Sequence, residues 1–424
     1  MGMFRPGRVR SLLLAFLATV LVCTVYLYWT PTAAASSTVS VVPSTAFEVP
    51  LVERQKDFWK AFQPILERHN PNCSSPQKNG DAGAIHFDPV KDSPRPDLTA
   101  MSDADQKAME DAHANFVEDI KKAGKDLKPA HSPGKRGLVS TAGATYLPVF
   151  VSTLRMLRRS GSTLPVEVYM KDTSEYEKHV CNDILPNLNA RCMILADVVG
   201  KNVIEHYQLK IFAVLFSSFE EIVWMDADCF PLGKPEELLD SEPFTSTGEG
   251  DKETFLQAAT ALGAPFYTVS ERVQAVGHQN GEKLAGSAMA QTDPREDHAL
   301  TTQDKWRVKD SSVASAPHIF FIHANYPKFN PGDNVFGMGW ETTPTIKQDG
   351  SDSRAWTAPP DTLRRFGYDA EKAYWEEIKW VTCHLENVFK SWEHKAGLCV
   401  KVEDYWKNVF AEPHDDDPKF TEDG

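Results

Sequence analysis

Two carboxylates two residues apart, Asp226 and Asp228, close the apolar run Glu221-Ile222-Val223-Trp224-Met225. Residues at that spacing on a strand point to the same side, so at a strand end both can face one hard cation. Mg²⁺ and Mn²⁺ take oxygen ligands, commonly one or two carboxylates together with substrate phosphates. An ion held there can carry the charge that develops on a departing diphosphate. Without a cation, two carboxylates side by side would repel each other. A bare D-x-D triplet is frequent by chance in an acidic chain. The apolar strand before it and Cys229-Phe230-Pro231-Leu232 after it favour a metal site over a solvated turn. Paired carboxylates also cut glycosides, but there they flank the bond from opposite sides, about 5–9.5 Å apart. Two acids on one face of a strand end match that less well. Further on, Glu249-Gly250-Asp251-Lys252-Glu253 places acids where a helix begins, a position that capping and the helix dipole favour by themselves.

These residues need a frame to hold them. Residues 137–141 read as a short strand, 147–159 as a helix with Val151, Leu154 and Leu157 inward, and 165–170 as a second strand. Strand, helix and strand in that order make a βαβ unit, hence a parallel sheet. A strand over 193–195, a helix over 206–216 and the D-x-D strand follow. Ile319-Phe320-Phe321-Ile322 is one more apolar strand and ends at His323. This is an α/β architecture, whose functional loops lie at the carboxyl ends of its strands. Upstream, a helix over 52–69 carries Phe58, Trp59, Phe62, Ile65 and Leu66 on one side. A second, capped by Ser102, carries Met109, Ala112, Phe116 and Ile120. Both stripes read as packing surfaces. The stretches 70–96 and 121–136 are loop and linker by their Pro, Gly, Asn and Asp content.

The chain has 424 residues, 42% hydrophobic and 25% charged, enough for a large core. A formal net charge of −14 argues against a nucleic-acid partner, which would ask for positive charge. Residues 11–29 contain no charged side chain and follow Arg5, Arg8 and Arg10. About 20 apolar residues can cross a bilayer, and the positive flank stays cytosolic, placing the remainder on the far side. Ala33 and Ala35 also fit a cleavable signal, but the run exceeds the usual signal core of about 7–15 residues, so an uncleaved anchor is favoured. The expected division is a cytoplasmic tail over 1–10, a transmembrane signal-anchor over 11–29, a lumenal stem with helices over 30–136 and a catalytic domain over 137–424. No CxxC pair or Cys/His cluster suggests zinc. In an oxidising compartment Cys181 with Cys192, and Cys383 with Cys399, are close enough in sequence to bridge; buried free thiols are the alternative. Asn72-Cys73-Ser74 is a glycosylation sequon.

Several segments together resemble the fungal Golgi α-mannosyltransferases that extend mannan outer chains. They are Tyr207-Gln208-Leu209-Lys210-Ile211-Phe212-Ala213, the run Phe219 to Pro231 through the D-x-D, Gly250-Asp251-Lys252-Glu253-Thr254-Phe255, the opening over 137–146 and His323-Ala324-Asn325. The similarity extends over nearly the whole expected lumenal part. It implies a GT-A-type, Rossmann-like nucleotide-sugar-binding fold in a type II Golgi membrane protein. It implies GDP-mannose as donor, Mn²⁺ as cofactor, and mannan or an N- or O-glycan as acceptor, with retention of the α configuration. The α-1,2 enzymes are the closer subgroup, with α-1,3 next, and a place in a Golgi mannosyltransferase complex is allowed. Carried onto this chain, Asp228 is the direct metal ligand, and Asp226 touches the ribose or a metal-bound water. His323 completes the metal site, Lys210 reaches the diphosphate unless it is a surface lysine, and Tyr146 lines the donor pocket unless it packs in the core. Asp251, before Glu249, faces the acceptor hydroxyl as the base. One departure stands out: the family carries a long segment where Phe244-Thr245-Ser246-Thr247-Gly248 here runs straight into Glu249. That junction reads as an internal deletion, which puts acceptor binding in doubt more than the metal site. A catalytically impaired member serving as partner subunit or glycan-binding module is the alternative function.

Overall fold

A computed structural model describes residues 50–80, 98–124, 126–201, 204, 207–241, 263–280, 283–336, 343–347, 349–414 and 417–420. The expected anchor over 11–29, with its tail, lies outside these residues, as do Glu249 and Asp251. Among the described residues no helix is long and apolar enough to cross a membrane.

Helix α1 (Pro50–Arg68) and the small ladder of β1 (Gln77–Lys78) and β2 (Thr99–Ala100) precede α2 (Asp103–Ala123). Then come β3 (Ser132–Thr141), α3 (Leu147–Arg159), β4 (Val166–Met170), β5 (Ala190–Ile194), α4 (Gln208–Leu215) and β6 (Phe219–Trp224). Past the D-x-D turn follow β7 (Cys229–Pro231), β8 (Gln274–Asn280), β9 (Lys283–Thr292), α5 (Pro294–Thr301), β10 (Ile319–His323), α6 (Ala370–Leu385) and α7 (Leu398–Phe410).

The strands form two four-stranded sheets. In the first, ordered β5-β4-β3-β6, all pairs are parallel. Successive residues of β3 serve opposite faces: Leu138 packs with Phe150, Val151 and Leu154 of α3, while Val139 packs with Trp59 of α1 and Ala213 of α4. Both faces are therefore covered by helices, as a parallel sheet requires. Helix α3 spans the residues its apolar spacing predicts, and Ser102 caps α2, its side chain accepting from the Asp105 amide at 3.1 Å.

The chain from Phe47 to Gly424 forms one unit, and α1 belongs to its core. Phe58 and Trp59 are buried against Phe212 and Phe216, with ring centroids 5.6–6.2 Å apart. Gln55 Nε2 donates to the Phe216 carbonyl at 2.6 Å. The apolar stripe of α1 covers one sheet face, as a packing surface should.

The second sheet, ordered β7-β10-β9-β8, is antiparallel. Its hairpin β8–β9 carries a register shift at Val276/Gly277, and a Cβ on Gly277 would come within 1.9 Å of the Ala285 carbonyl oxygen. Behind this sheet α6 and α7 pack an aromatic core that includes Trp356, Tyr374, Trp375 and Tyr405. Both candidate disulfides form: Cys181–Cys192 with Cα atoms 5.5 Å apart, and Cys383–Cys399, joining α6 to α7, at 4.5 Å. Neither Cys73 nor Cys229 takes part in a disulfide.

Candidate functional site

The D-x-D turn is the passage from one sheet to the other. Strand β6 is an edge of the parallel sheet and β7 an edge of the antiparallel one, and Met225 to Asp228 join them. In the parallel sheet the chain builds outward from β3 to β4 and β5, then returns to place β6 on the other side of β3. That reversal opens a crevice at the carboxyl ends of β3 and β6, where open α/β sheets bind ligands. One wall is the turn after β3, ending at Tyr146; the other is Asp226 to Asp228.

The register of β10 brings the third element in. His323 lies opposite Cys229 in the β7–β10 ladder, and the Ala324 amide donates to the Asp228 carbonyl at 2.9 Å. His323 Nε2 consequently sits 3.0 Å from Asp228 Oδ1. Lys328, in the turn just past β10, ion-pairs with Asp228 Oδ2. Its Nζ also stands 5.6 Å from the centre of the Tyr146 ring. Beside them, Lys210 of α4 pairs with Asp226 Oδ1 at 2.9 Å, and the Trp224 indole N–H donates to the same oxygen at 3.3 Å. Burial pulls the Asp228 carboxyl upward, but the His323 hydrogen bond and charge, with the Lys328 charge, outweigh it and hold the group below the ordinary carboxylate range. Asp228 is thus a buried anion held by cationic neighbours.

The donor set can be tested against a divalent ion. Two neighbouring ligands of an octahedral ion with bonds of about 2.1 Å stand about 3 Å apart. The Asp228 Oδ1 to His323 Nε2 spacing of 3.0 Å fits that pair. As it stands the ring donates from Nε2, because an ionised carboxylate only accepts. Ligation needs the other tautomer, with the proton on Nδ1, an atom that is buried without a hydrogen-bond partner among the described residues. Asp226 does not join the pair. Among the described residues, the group of three or more such ligand atoms within 4.8 Å of one another is Cys383, Cys399 and Glu403, and its cysteines are bridged.

Most residues singled out from the sequence converge here. Asp226, Asp228 and His323 lie at the mouth between the sheets, and Lys210 is an ion-pair partner rather than a free surface lysine. Tyr146 is 44% exposed, which rules out core packing. Lys328 was not foreseen. It follows His323 by five residues, and no periodicity marks it; only the β10 register and the turn after it bring it back to Asp228.

A family described as "Mannosyltransferase putative" matches residues 135–248 and 245–293. The two pieces meet at 245–248, where the sequence suggests a deletion. The chain is similar to "Alpha-1,2-mannosyltransferase MNN21" of Candida albicans, 24% identical over 71% of this chain and 65% of that protein. It is similar to "Alpha-1,2-mannosyltransferase MNN2" of Saccharomyces cerevisiae, 22% identical over 70% of this chain and 71% of that protein. A shorter stretch is 34% identical to "Alpha-1,2-mannosyltransferase MNN22" of Candida albicans, over 28% of this chain and 22% of that protein. The first alignment runs over 448 positions while using 71% of a 424-residue chain, so many residues of that relative have no counterpart here.

Proposed function

We propose that this chain is a fungal-type mannosyltransferase that transfers mannose from GDP-mannose to α-mannoside chains in α-1,2 linkage; the family match over 135–293 and the similarity to the α-1,2-mannosyltransferases support the reading. The observation that carries the reading is the convergence of Asp226, Asp228, His323, Lys210 and Lys328 on one crevice between the sheets. Asp228 and His323 would hold a divalent ion, Mn²⁺ in this proposal. When bound, that ion supplies charge neutralisation for the leaving diphosphate. The remaining work falls to the chain itself. Asp226, fixed by Lys210 and the Trp224 N–H, faces the ribose side of the nucleotide. Tyr146 offers an aromatic face to the base, and the two lysines set a positive field where phosphates would lie. The base assisting the acceptor hydroxyl is assigned to Asp251, ahead of Glu249.

The test is transfer by the full chain. With GDP-mannose, Mn²⁺ and an α-mannoside acceptor, the product gains one hexose in α-1,2 linkage, and Asp228→Ala abolishes both transfer and Mn²⁺-dependent GDP binding. Undiminished GDP binding by Asp228→Ala would leave the site without support. A second reading, a member that binds nucleotide or glycan without efficient transfer, is favoured by the two-piece family match. GDP binding without product would select it.

The site of action proposed is the Golgi lumen, with residues 11–29 as a type II anchor. The run of apolar residues behind three arginines and the two disulfides support this. Sequencing the N-terminus of the membrane-bound protein reads it directly: a mature chain starting near Ala35 would reject the anchor.

A further inference from the structure

Lys328 faces both the proposed metal ligand and the place proposed for the phosphates, and its pairing raises the question of which it serves. Asp228 has two carboxylate oxygens, and both are taken: Oδ1 by His323 Nε2 at 3.0 Å, Oδ2 by Lys328 Nζ. The lysine is not buried in this pairing. Its side chain keeps 30% of its surface, against 4% for Asp228, so its end can leave the carboxylate without unpacking anything. Its backbone, by contrast, is fixed. Asn325 and Lys328 bridge across a tight turn, and the Asn330 amide donates to the Lys328 carbonyl at 2.7 Å. Asn330 itself is buried, its Nδ2 donating to the Thr145 carbonyl at 2.9 Å and its Oδ1 accepting from the Trp392 indole at 2.8 Å. The turn carrying Lys328 is thereby tied to the turn carrying Tyr146. A fixed root and a movable charged tip suit a group that works in two positions.

We propose that Lys328 is an exchangeable counter-cation: it neutralises Asp228 in the unloaded site and moves to the donor diphosphate when a divalent ion takes the carboxylate. This rests on the donor and metal reading above. The physical reason is that a divalent ion on Oδ1 and an ammonium on Oδ2 of the same carboxylate stand side by side and repel each other. An incoming metal therefore drives the lysine off, and metal alone gives the freed charge no new partner. A diphosphate does, since an ammonium binds phosphate oxygens as a point charge. Metal and nucleotide then each make room for the other. Such coupling is reciprocal by thermodynamic linkage.

Calorimetry on the full chain tests it, with Mn²⁺ alone, GDP alone and each in the presence of the other. The wild-type protein binds Mn²⁺ more tightly with GDP present, by a factor of at least about five. In Lys328→Met, Mn²⁺ alone binds more tightly than to wild type, GDP binds more weakly, and the coupling factor falls to the part that direct contact between metal and diphosphate supplies. Lys328→Arg, which keeps the charge, retains most of the coupling. A wild-type protein with no coupling overturns the inference without recourse to any variant. Equal coupling in wild type and Lys328→Met also overturns it, while leaving the donor reading intact. A wild-type protein that binds neither GDP nor Mn²⁺ overturns both.

Discussion

At the scale of single residues, the molecule separates charges that serve the crevice from charges that serve the core. Asp228 is buried yet held anionic, because His323 and Lys328 face it. Glu371 is fully buried too, but its environment has the opposite net effect. Burial raises its carboxyl to about 7, although Arg354 and the Ala355 and Trp356 amides pull the other way. The protonated form is therefore favoured in the folded chain. Stability from this group is fully present below its unfolded value of 4.5 and is lost as pH rises through about 7. Glu371→Gln removes the titration, but its amide nitrogen cannot accept, so the Ala355 or Trp356 amide loses its partner at every pH. The stability of the variant relative to wild type should rise between pH 4.5 and pH 8, by at most about 3 kcal/mol. Parallel melting curves at the two pH values decide; a difference that stays constant or falls over that range would show that the carboxyl is ionised in the folded chain throughout.

At the scale of elements, docking of α1 is the feature with most consequence for stability. Trp59 is 7% exposed and meets Phe212 and Phe216 edge-on. Trp59→Ala should cost about 3–5 kcal/mol, read as a lower urea midpoint. It should also disturb the crevice, because Phe212 shares α4 with Lys210, which holds Asp226. A change within about 0.5 kcal/mol would mean that α1 is a detachable stem after all. Helices α1 and α3 and strand β4 were legible because apolar residues mark each along its length; α1 buries a stripe, while α3 and β4 are buried nearly all round. The β8–β9 hairpin was not. Lys283-Leu284-Ala285-Gly286-Ser287-Ala288-Met289-Ala290-Gln291-Thr292 is built of small residues with no clear alternation, and it becomes a strand only because β8 and β10 pair on both sides. Helix α6 had a readable start in Asp369, whose side chain accepts from the Lys372 amide at 3.0 Å, and that signal went unread.

At the scale of the whole molecule, the question is what the junction at Gly248 and Glu249 does to the proposed transfer. The two pieces of the family match overlap beside it, at 245–248. Both sheets and the pairs around Asp228 are nonetheless complete among the described residues. Shortening a connection leaves a sheet intact when the ends still meet. Transfer asks for more, since an ångström of misplacement at the acceptor hydroxyl can cost on the order of 100-fold in rate. Inserting a family-length segment between Gly248 and Glu249 should therefore raise transfer far more than it raises GDP affinity. Equal transfer rates for the two forms would show the segment to be dispensable. The sequence by itself determined the parallel α/β frame, the strand-end carboxylates and the resemblance to the mannosyltransferases, because apolar periodicity and short motifs are local properties of the chain. Only the tertiary structure decided which groups share the crevice. Lys328 meets Asp228, and Lys210 meets Asp226, across 100 and 16 residues of chain. Those meetings depend on the register of β10 against β7 and on the seating of α4 beside β3, and no local pattern encodes them.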